Sequence, residues 1–144
     1  MTKLLTLDIV TQEKRLMTVT AKSVTMDTIE GEITVLPGHT PLLTKLSEGL
    51  LRFTDEKDLE DTVVIFGGFL EIDANDKLTV LADSAVRAVD IDEANLDKAK
   101  QEAEETLKDK AREVEFASAE AALRRTYLEM KALKKGVRPR HSQN

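Results

Sequence analysis

The chain has no cysteine among its 144 residues, which rules out a disulfide framework, a thiolate metal site and a cysteine nucleophile. Two histidines, His39 and His141, are too few for most histidine-rich metal centres, so no metal is expected. No apolar run approaches the ~20 residues that a membrane-crossing helix needs. Met1–Leu5 lacks the long apolar core of a secretion signal, so the chain is expected to stay in the compartment of its synthesis. Glycine and proline are missing from one informative place. All six glycines and all three prolines lie before Val89 or after Lys135, and the 46 residues Asp90–Lys135 contain neither.

That partition predicts a turn-punctuated β-rich front and an uninterrupted helical back. A hydrophobic fraction of 41% and a mean hydropathy of -0.29 fit one soluble globular domain, or a compact domain with an appendage. The net charge of -6 argues against a nucleic-acid binder, which needs a basic footprint. Residues 1–89 hold 15 acidic and 9 basic side chains, residues 90–115 hold 10 and 5, and residues 116–144 hold 2 and 7. The back is thus acidic first and basic afterwards. Two readings stay open: complementary antiparallel helices, or a basic segment that meets an acidic partner.

In the front, Leu5–Val10, Val19–Met26, Glu32–Leu36, Leu50–Phe53, Val63–Phe66, Phe69–Ile72 and Lys77–Ala82 read as strands of β-branched or alternating character. Asp73–Asp76 is a hairpin loop. Pro37-Gly38 is a turn, and Pro41 is expected to deny the next stretch a central place in a sheet. Seven or more strands at this spacing suggest an antiparallel sandwich or barrel. Gly67-Gly68 lacks the Lys-Ser/Thr pair and following helix of a phosphate loop, so a bulge or a close approach of two backbones is expected instead. His39 reads as a turn residue at a surface or interface rather than a ligand. No Ser/His/Asp set or metal-ligand spacing is visible.

In the back, Asp90 is the expected cap of the first helix, with Glu93 completing a capping-box pattern. An apolar row follows through Leu96, Ala99, Ala103, Leu107 and Ala111. The chain is expected to turn between Lys108 and Glu115. A second stripe, Phe116, Ala119, Leu123, Thr126, Met130, Leu133 and Val137, has the 3-4 spacing of a seam for one partner helix, widened by Tyr127 and Leu128. Its default reading is structural. With alanines contributing about 0.8 kcal/mol per buried methyl, such a hairpin closes weakly, and straightened it would reach on the order of 65 Å.

Gly31-Glu32-Ile33-Thr34-Val35-Leu36-Pro37-Gly38-His39-Thr40-Pro41-Leu42-Leu43 closely resembles the characteristic segment of the epsilon subunit of bacterial F-type rotary ATP synthases. The likeness continues in Gly67-Gly68-Phe69-Leu70-Glu71-Ile72, in Leu78-Thr79-Val80-Leu81-Ala82-Asp83, in Asp90-Ile91-Asp92-Glu93-Ala94 and in Phe116–Arg125, so it spans nearly the whole chain. The resemblance implies an N-terminal antiparallel β-sandwich (1–86), a C-terminal two-helix antiparallel hairpin (90–136) and a tail (137–144). It implies a non-catalytic central-stalk subunit, without an active site or cofactor of its own. Its partners would be the gamma subunit, the c-ring and the alpha and beta subunits of the catalytic head. Such a subunit is monomeric when isolated. It lies on the cytoplasmic face of the bacterial plasma membrane, reached only through the complex.

By position in the motif, Glu32, Pro37, Gly38 and His39 would face gamma and the c-ring. The helical pair would be an arm that restrains ATP hydrolysis when extended, with Arg124, Arg125, Lys131, Lys134 and Lys135 meeting an acidic segment of the catalytic head. Some relatives bind ATP through Ile/Leu-Asp-x-x-Arg-Ala. Here Ile91 and Asp92 match, Asn95 and Leu96 depart, and Arg125 is left as a basic contact, so ATP binding is disfavoured. The competing reading is a free-standing ATP-sensing protein with a helical hairpin, which would need that motif intact. A β-sandwich hydrolase would need a clustered nucleophile and base.

Overall fold

A computed structural model describes residues 3–108 and 113–136, with the backbone alone for 113–116, 135 and 136. Seven strands come first: β1 Leu5–Thr11, β2 Arg15–Thr28, β3 Gly31–Val35, β4 Leu42–Asp55, β5 Glu60–Ile72, β6 Lys77–Ala82 and β7 Ala85–Arg87. A single 3-10 turn, Ala88–Asp90, leads to α1 Glu93–Lys108 and α2 Glu113–Gly136. The strand order is β1-β6-β5-β4-β2-β3, with β7 on β5 and a further β1–β2 pairing. All pairings are antiparallel except β1 with β6. The expected β-sandwich with a helical pair is therefore present, with one parallel ladder.

Three strands are longer than the sequence pattern suggested. β2 and β4 have 14 residues each and β5 has 13. β2 pairs with β1 over its first half and with β3 and β4 over its second. Register shifts near Ala21/Ser23 and Thr25/Thr28 mark the bend between them; such bulges let one strand serve two layers. Directly after Pro41, Leu42–Lys45 pair in the ladder with β5 alone, and β4 becomes central, between β5 and β2, only from Leu46. The proline stands just before the ladder, where its missing N–H costs nothing.

Alternate residues of each strand fill the sandwich: Leu5, Leu7 and Ile9 from β1, Val63 and Ile65 from β5, Leu78 and Val80 from β6. β5 departs from simple alternation. Val63 and Ile65 face this core, whereas Val64 belongs to a second cluster with Leu50, Ala88 and Ala132, flanked by Phe66, Val86, Ile91 and Leu128. A strand buried on both faces reads as a continuous apolar run, and Val63-Val64-Ile65-Phe66 is one.

Gly67 and Gly68 are a bulge and a close approach at once. Their φ values are 84° and 134°, and a Cβ on Gly68 would collide with the backbone of Leu81 and Ala82 on β6. The bulge also switches phase. Before it, Val64 and Phe66 point away from the core; after it, Leu70 and Ile72 point inward and Phe69 outward. The Asp73–Asp76 loop is the expected hairpin turn. Asp73 Oδ1 accepts hydrogen bonds from the N–H groups of Asn75 (2.8 Å) and Lys77 (3.0 Å).

Candidate docking surfaces

The Pro37–His39 turn is held from inside and outside. The His39 N–H donates to the Leu36 carbonyl at 3.1 Å. The Gly38 N–H donates to Asp76 Oδ1 in the β5–β6 hairpin at 2.7 Å. His39 Nδ1 lies 2.6 Å from the Thr40 carbonyl; a carbonyl only accepts, so Nδ1 carries the proton. Glu32 sits at the opposite end of edge strand β3, exposed, with its Oε2 3.4 Å from Arg52 Nη2. At about 3.3 Å per residue, roughly 15 Å of strand separates it from the turn. The structure thus places the four residues along one sheet edge, not in one cluster. Among the described residues no three His, Asp or Glu side chains converge as metal ligands do.

The sequence pattern missed the apolar part of this surface. Leu43 is 72% exposed, Phe69 51% and Leu81 52%, and Ile29 and Leu36 are also exposed. Lys45 pairs with Phe69 and Phe69 with Leu81, while Leu43 pairs with Glu71. The Ile29 N–H bonds to the Lys45 carbonyl at 3.1 Å. An outward apolar stripe therefore crosses β4, β5 and β6, interrupted by Lys45 and Glu71. Its signal was available as phase: once Leu70 and Val80 are placed inside, Phe69 and Leu81 must point out.

The helices form the second surface. α1 is capped by Asp92, not Asp90. Asp92 Oδ1 accepts from the N–H groups of Ala94 (3.1 Å) and Asn95 (3.4 Å), and Asn95 Nδ2 donates to Asp92 Oδ2 at 2.9 Å. Asp90 is used up in the 3-10 turn, and Ile91 is extended (φ -77°, ψ 125°) and packs into the second cluster, which delays the helix start. Upstream, Arg87 Nη2 lies 3.4 Å from the buried Asp61 carboxylate, tying the root of the helical pair to β5.

The row on α1 differs from expectation by one position. Leu96 and Ala103 are buried and Leu107 is half-buried, but Ala99 is exposed. Lys100 takes its place, with Nζ 5.4 Å from the Tyr127 ring centre on α2. A lysine stem covers apolar surface while its amine finds the ring face. Residues 109–112, with Ala111 and much of the stretch expected to turn, lie outside the described residues. So do the 137–144 tail with Val137 and His141, and the side chains of Phe116 and Lys135.

α2 has three faces at 3.6 residues per turn. One, with Ala119, Leu123, Thr126, Met130 and Leu133, is buried or half-buried on the side of the predicted seam. A second carries Arg125, Leu128 and Ala132 against the sandwich, with Arg125 above the Phe66 ring at 4.3 Å and bonded to Glu129 Oε1 at 3.1 Å. The third is exposed and carries Arg124, Lys131 and Lys134. The structure therefore divides the expected basic group: three residues face outward together, and Arg125, though half exposed at its side chain, lies over the Phe66 ring on the sandwich side. Of the candidate nucleotide contacts, Ile91 is in the apolar cluster, Asp92 is engaged in the cap, and Arg125 stacks on Phe66.

Comparison with known proteins fits this geometry. Residues 4–88 match the family described as ATP synthase, Delta/Epsilon chain, beta-sandwich domain. The chain is 42% identical over 137 residues to ATP synthase epsilon chain 2 of Ralstonia nicotianae, covering 95% of this chain and 98% of that one. It is 36% identical over 135 residues to the ATP synthase epsilon chain of Nitrosomonas eutropha, covering 94% and 96%. Its fold is also that of a chain in the Euglena gracilis mitochondrial ATP synthase, described as OSCP/F1/c-ring, with a TM-score of 0.64, 24% identity, and coverage of 91% of this chain and 78% of that one.

Proposed function

The chain belongs to the ATP synthase delta/epsilon family, and from that premise we propose that it is a non-catalytic central-stalk subunit whose helical pair is a detachable brake on ATP hydrolysis. The sandwich docks gamma and the c-ring through the edge bearing Glu32 and the Pro37–His39 turn, joined by the stripe of Leu43, Phe69 and Leu81. Large apolar side chains exposed together and rimmed by charge in this way mark an interaction site. Among the described residues no helix is long and apolar enough to cross a membrane; in this reading the chain reaches the cytoplasmic face of a bacterial plasma membrane through its partners in the complex.

The observation that carries this reading is the separation of two apolar clusters. The sandwich has a core of its own, and the helical pair meets it through the small set Leu50, Val64, Ala88 and Ala132. Two large aliphatic side chains at ~1.5–3 kcal/mol each, two alanines, and the half-buried Phe66, Val86, Ile91 and Leu128 hold the pair with on the order of 10 kcal/mol. Lifting the pair away would uncover this patch and leave the sandwich core closed. An alternative docking surface in the catalytic head needs only to match that energy.

The decisive experiment compares the full-length chain with one truncated at Asp90 in a reconstituted enzyme. The truncated chain is expected to assemble with gamma and the c-ring and to raise ATP hydrolysis several-fold. Unchanged hydrolysis with intact assembly overturns the brake; loss of assembly overturns the docking assignment.

ATP is not proposed as a ligand. Both carboxylate oxygens of Asp92 are engaged, and the side chain of Asn95, at the motif's arginine position, completes the cap. A guanidinium is absent where a phosphate would need one. Calorimetric titration of the isolated chain is expected to detect no binding below millimolar ATP; sub-millimolar affinity would refute this and favour the sensor reading.

A further inference from the structure

Most of the surface that joins α2 to the sandwich is aliphatic, and aliphatic contacts fix position poorly. Leu50, Val64, Ala88, Leu128 and Ala132 pack against one another without direction. One contact differs in kind. The Arg125 guanidinium carbon stands 4.3 Å from the centre of the Phe66 ring, within the range of cation–π attraction. Its Nε donates to Glu129 Oε1, one turn along α2, at 3.1 Å. Glu129 is itself only 16% exposed at the side chain, so the guanidinium is braced from the helix side and faced by the ring from the strand side. Phe66 occupies that place because it lies two positions after Val64 on β5 and so shares its face.

We propose that Arg125 and Phe66 form a latch that holds the helical pair on the sandwich and sets how often it is free. The proposal rests on the detachable-arm reading above and names its control. Arg125 cannot stack on Phe66 and present the same guanidinium face to another subunit at the same time. The Arg125 side chain is about half exposed in the docked state (51%), so release of the pair frees the face of the guanidinium that the ring covers. Phe66 acts here as a positioning residue for the docked state.

The test uses the full-length chain in isolation, with hydrogen exchange of the α2 amides at 126–133 as readout. Phe66→Leu keeps apolar volume and removes the ring face; it is expected to raise the open population about two- to five-fold, the worth of an exposed cation–π contact. Phe66→Trp restores the face and is expected to return exchange to the parent level or below. Arg125→Gln should match Phe66→Leu, and the double variant should open no further than either single one. Equal behaviour of the Leu and Trp variants, or independent effects that multiply in the double variant, overturns the latch. If Phe66→Leu disturbs the sandwich, Arg125→Gln against Arg125→Lys still decides: a latch distinguishes a lost cation from a retained one. In the reconstituted enzyme Phe66→Leu is expected to lower ATP hydrolysis, since more arms are free. Opening in isolation with unchanged hydrolysis supports the latch and counts against the brake.

Discussion

Gly68→Ala is expected to cost the sandwich about 3–5 kcal/mol. Two effects add. The φ of 134° lies where side chains are strained by ~1–3 kcal/mol. The added Cβ would also stand 2.8 Å from Ala82 Cα and still closer to the Leu81 carbonyl. Both are backbone atoms of β6, so relief requires the β5–β6 ladder to move. At ~4–8 °C per kcal/mol for a domain of this size, the thermal midpoint should fall by more than ~12 °C, measured by calorimetry. Gly49→Ala is the control. The three atoms nearest its added Cβ all belong to the Asp27 side chain; the carboxylate can rotate away while the Asp27 Cβ must give slightly, and about 1–2 kcal/mol is expected. Equal losses at the two sites would show that close approach to β6 is not what demands glycine at 68. The consequence reaches function, because the same bulge aims Phe69 at the open stripe directly after Phe66, which faces α2.

What the sequence made legible followed from residues whose physical preference has one outcome. The absence of glycine and proline over 90–135 marked the helices, Asp73–Asp76 marked a turn, and Gly67-Gly68 marked an irregular strand. Ambiguity arose where two residues met the same local rule. Asp90 with Glu93 and Asp92 with Asn95 both have cap spacing, and burial of Ile91 in the second cluster chose between them. Ala99 and Lys100 both fit the helical row; the Tyr127 ring selected the lysine, which hydrophobicity alone ranked lower. Of β4 only Leu50–Phe53 was legible; Lys45, Glu48 and Gly49 break the apolar pattern before it, and pairing with β5 along its length overrode that break. For the candidate sites, charge pointed Arg125 outward, yet it shares a face with Leu128 and Ala132, three and seven positions on. That spacing was readable; the ring opposite it, on a strand far away in sequence, was not.

Reversal of Arg124, Lys131 and Lys134 together to Glu is expected to relieve inhibition of ATP hydrolysis while leaving stalk assembly intact. These three share the exposed face of α2 and take no part in the contacts that hold the docked state, so their substitution separates partner recognition from folding. Arg125 is left in place because changing it would also open the latch. Each exposed ion pair contributes only ~0.2–1 kcal/mol, so one reversal should be nearly silent. Three reversals replace attraction by repulsion, and about 2–4 kcal/mol of arm–head affinity should go, roughly 30- to several hundred-fold. Glu near the C-terminal end of a helix also opposes its dipole by ~0.3–1 kcal/mol. A triple Gln variant isolates that cost and should give intermediate relief. Salt provides the independent sign: a contact carried by exposed charge weakens as the screening length shrinks. Inhibition by the parent chain should therefore decline with ionic strength, and the reversed chain should show little dependence. Equal hydrolysis by both chains across that range would mean that the outward basic face is a solvated surface, and the brake would have to act through the apolar faces of the helices instead.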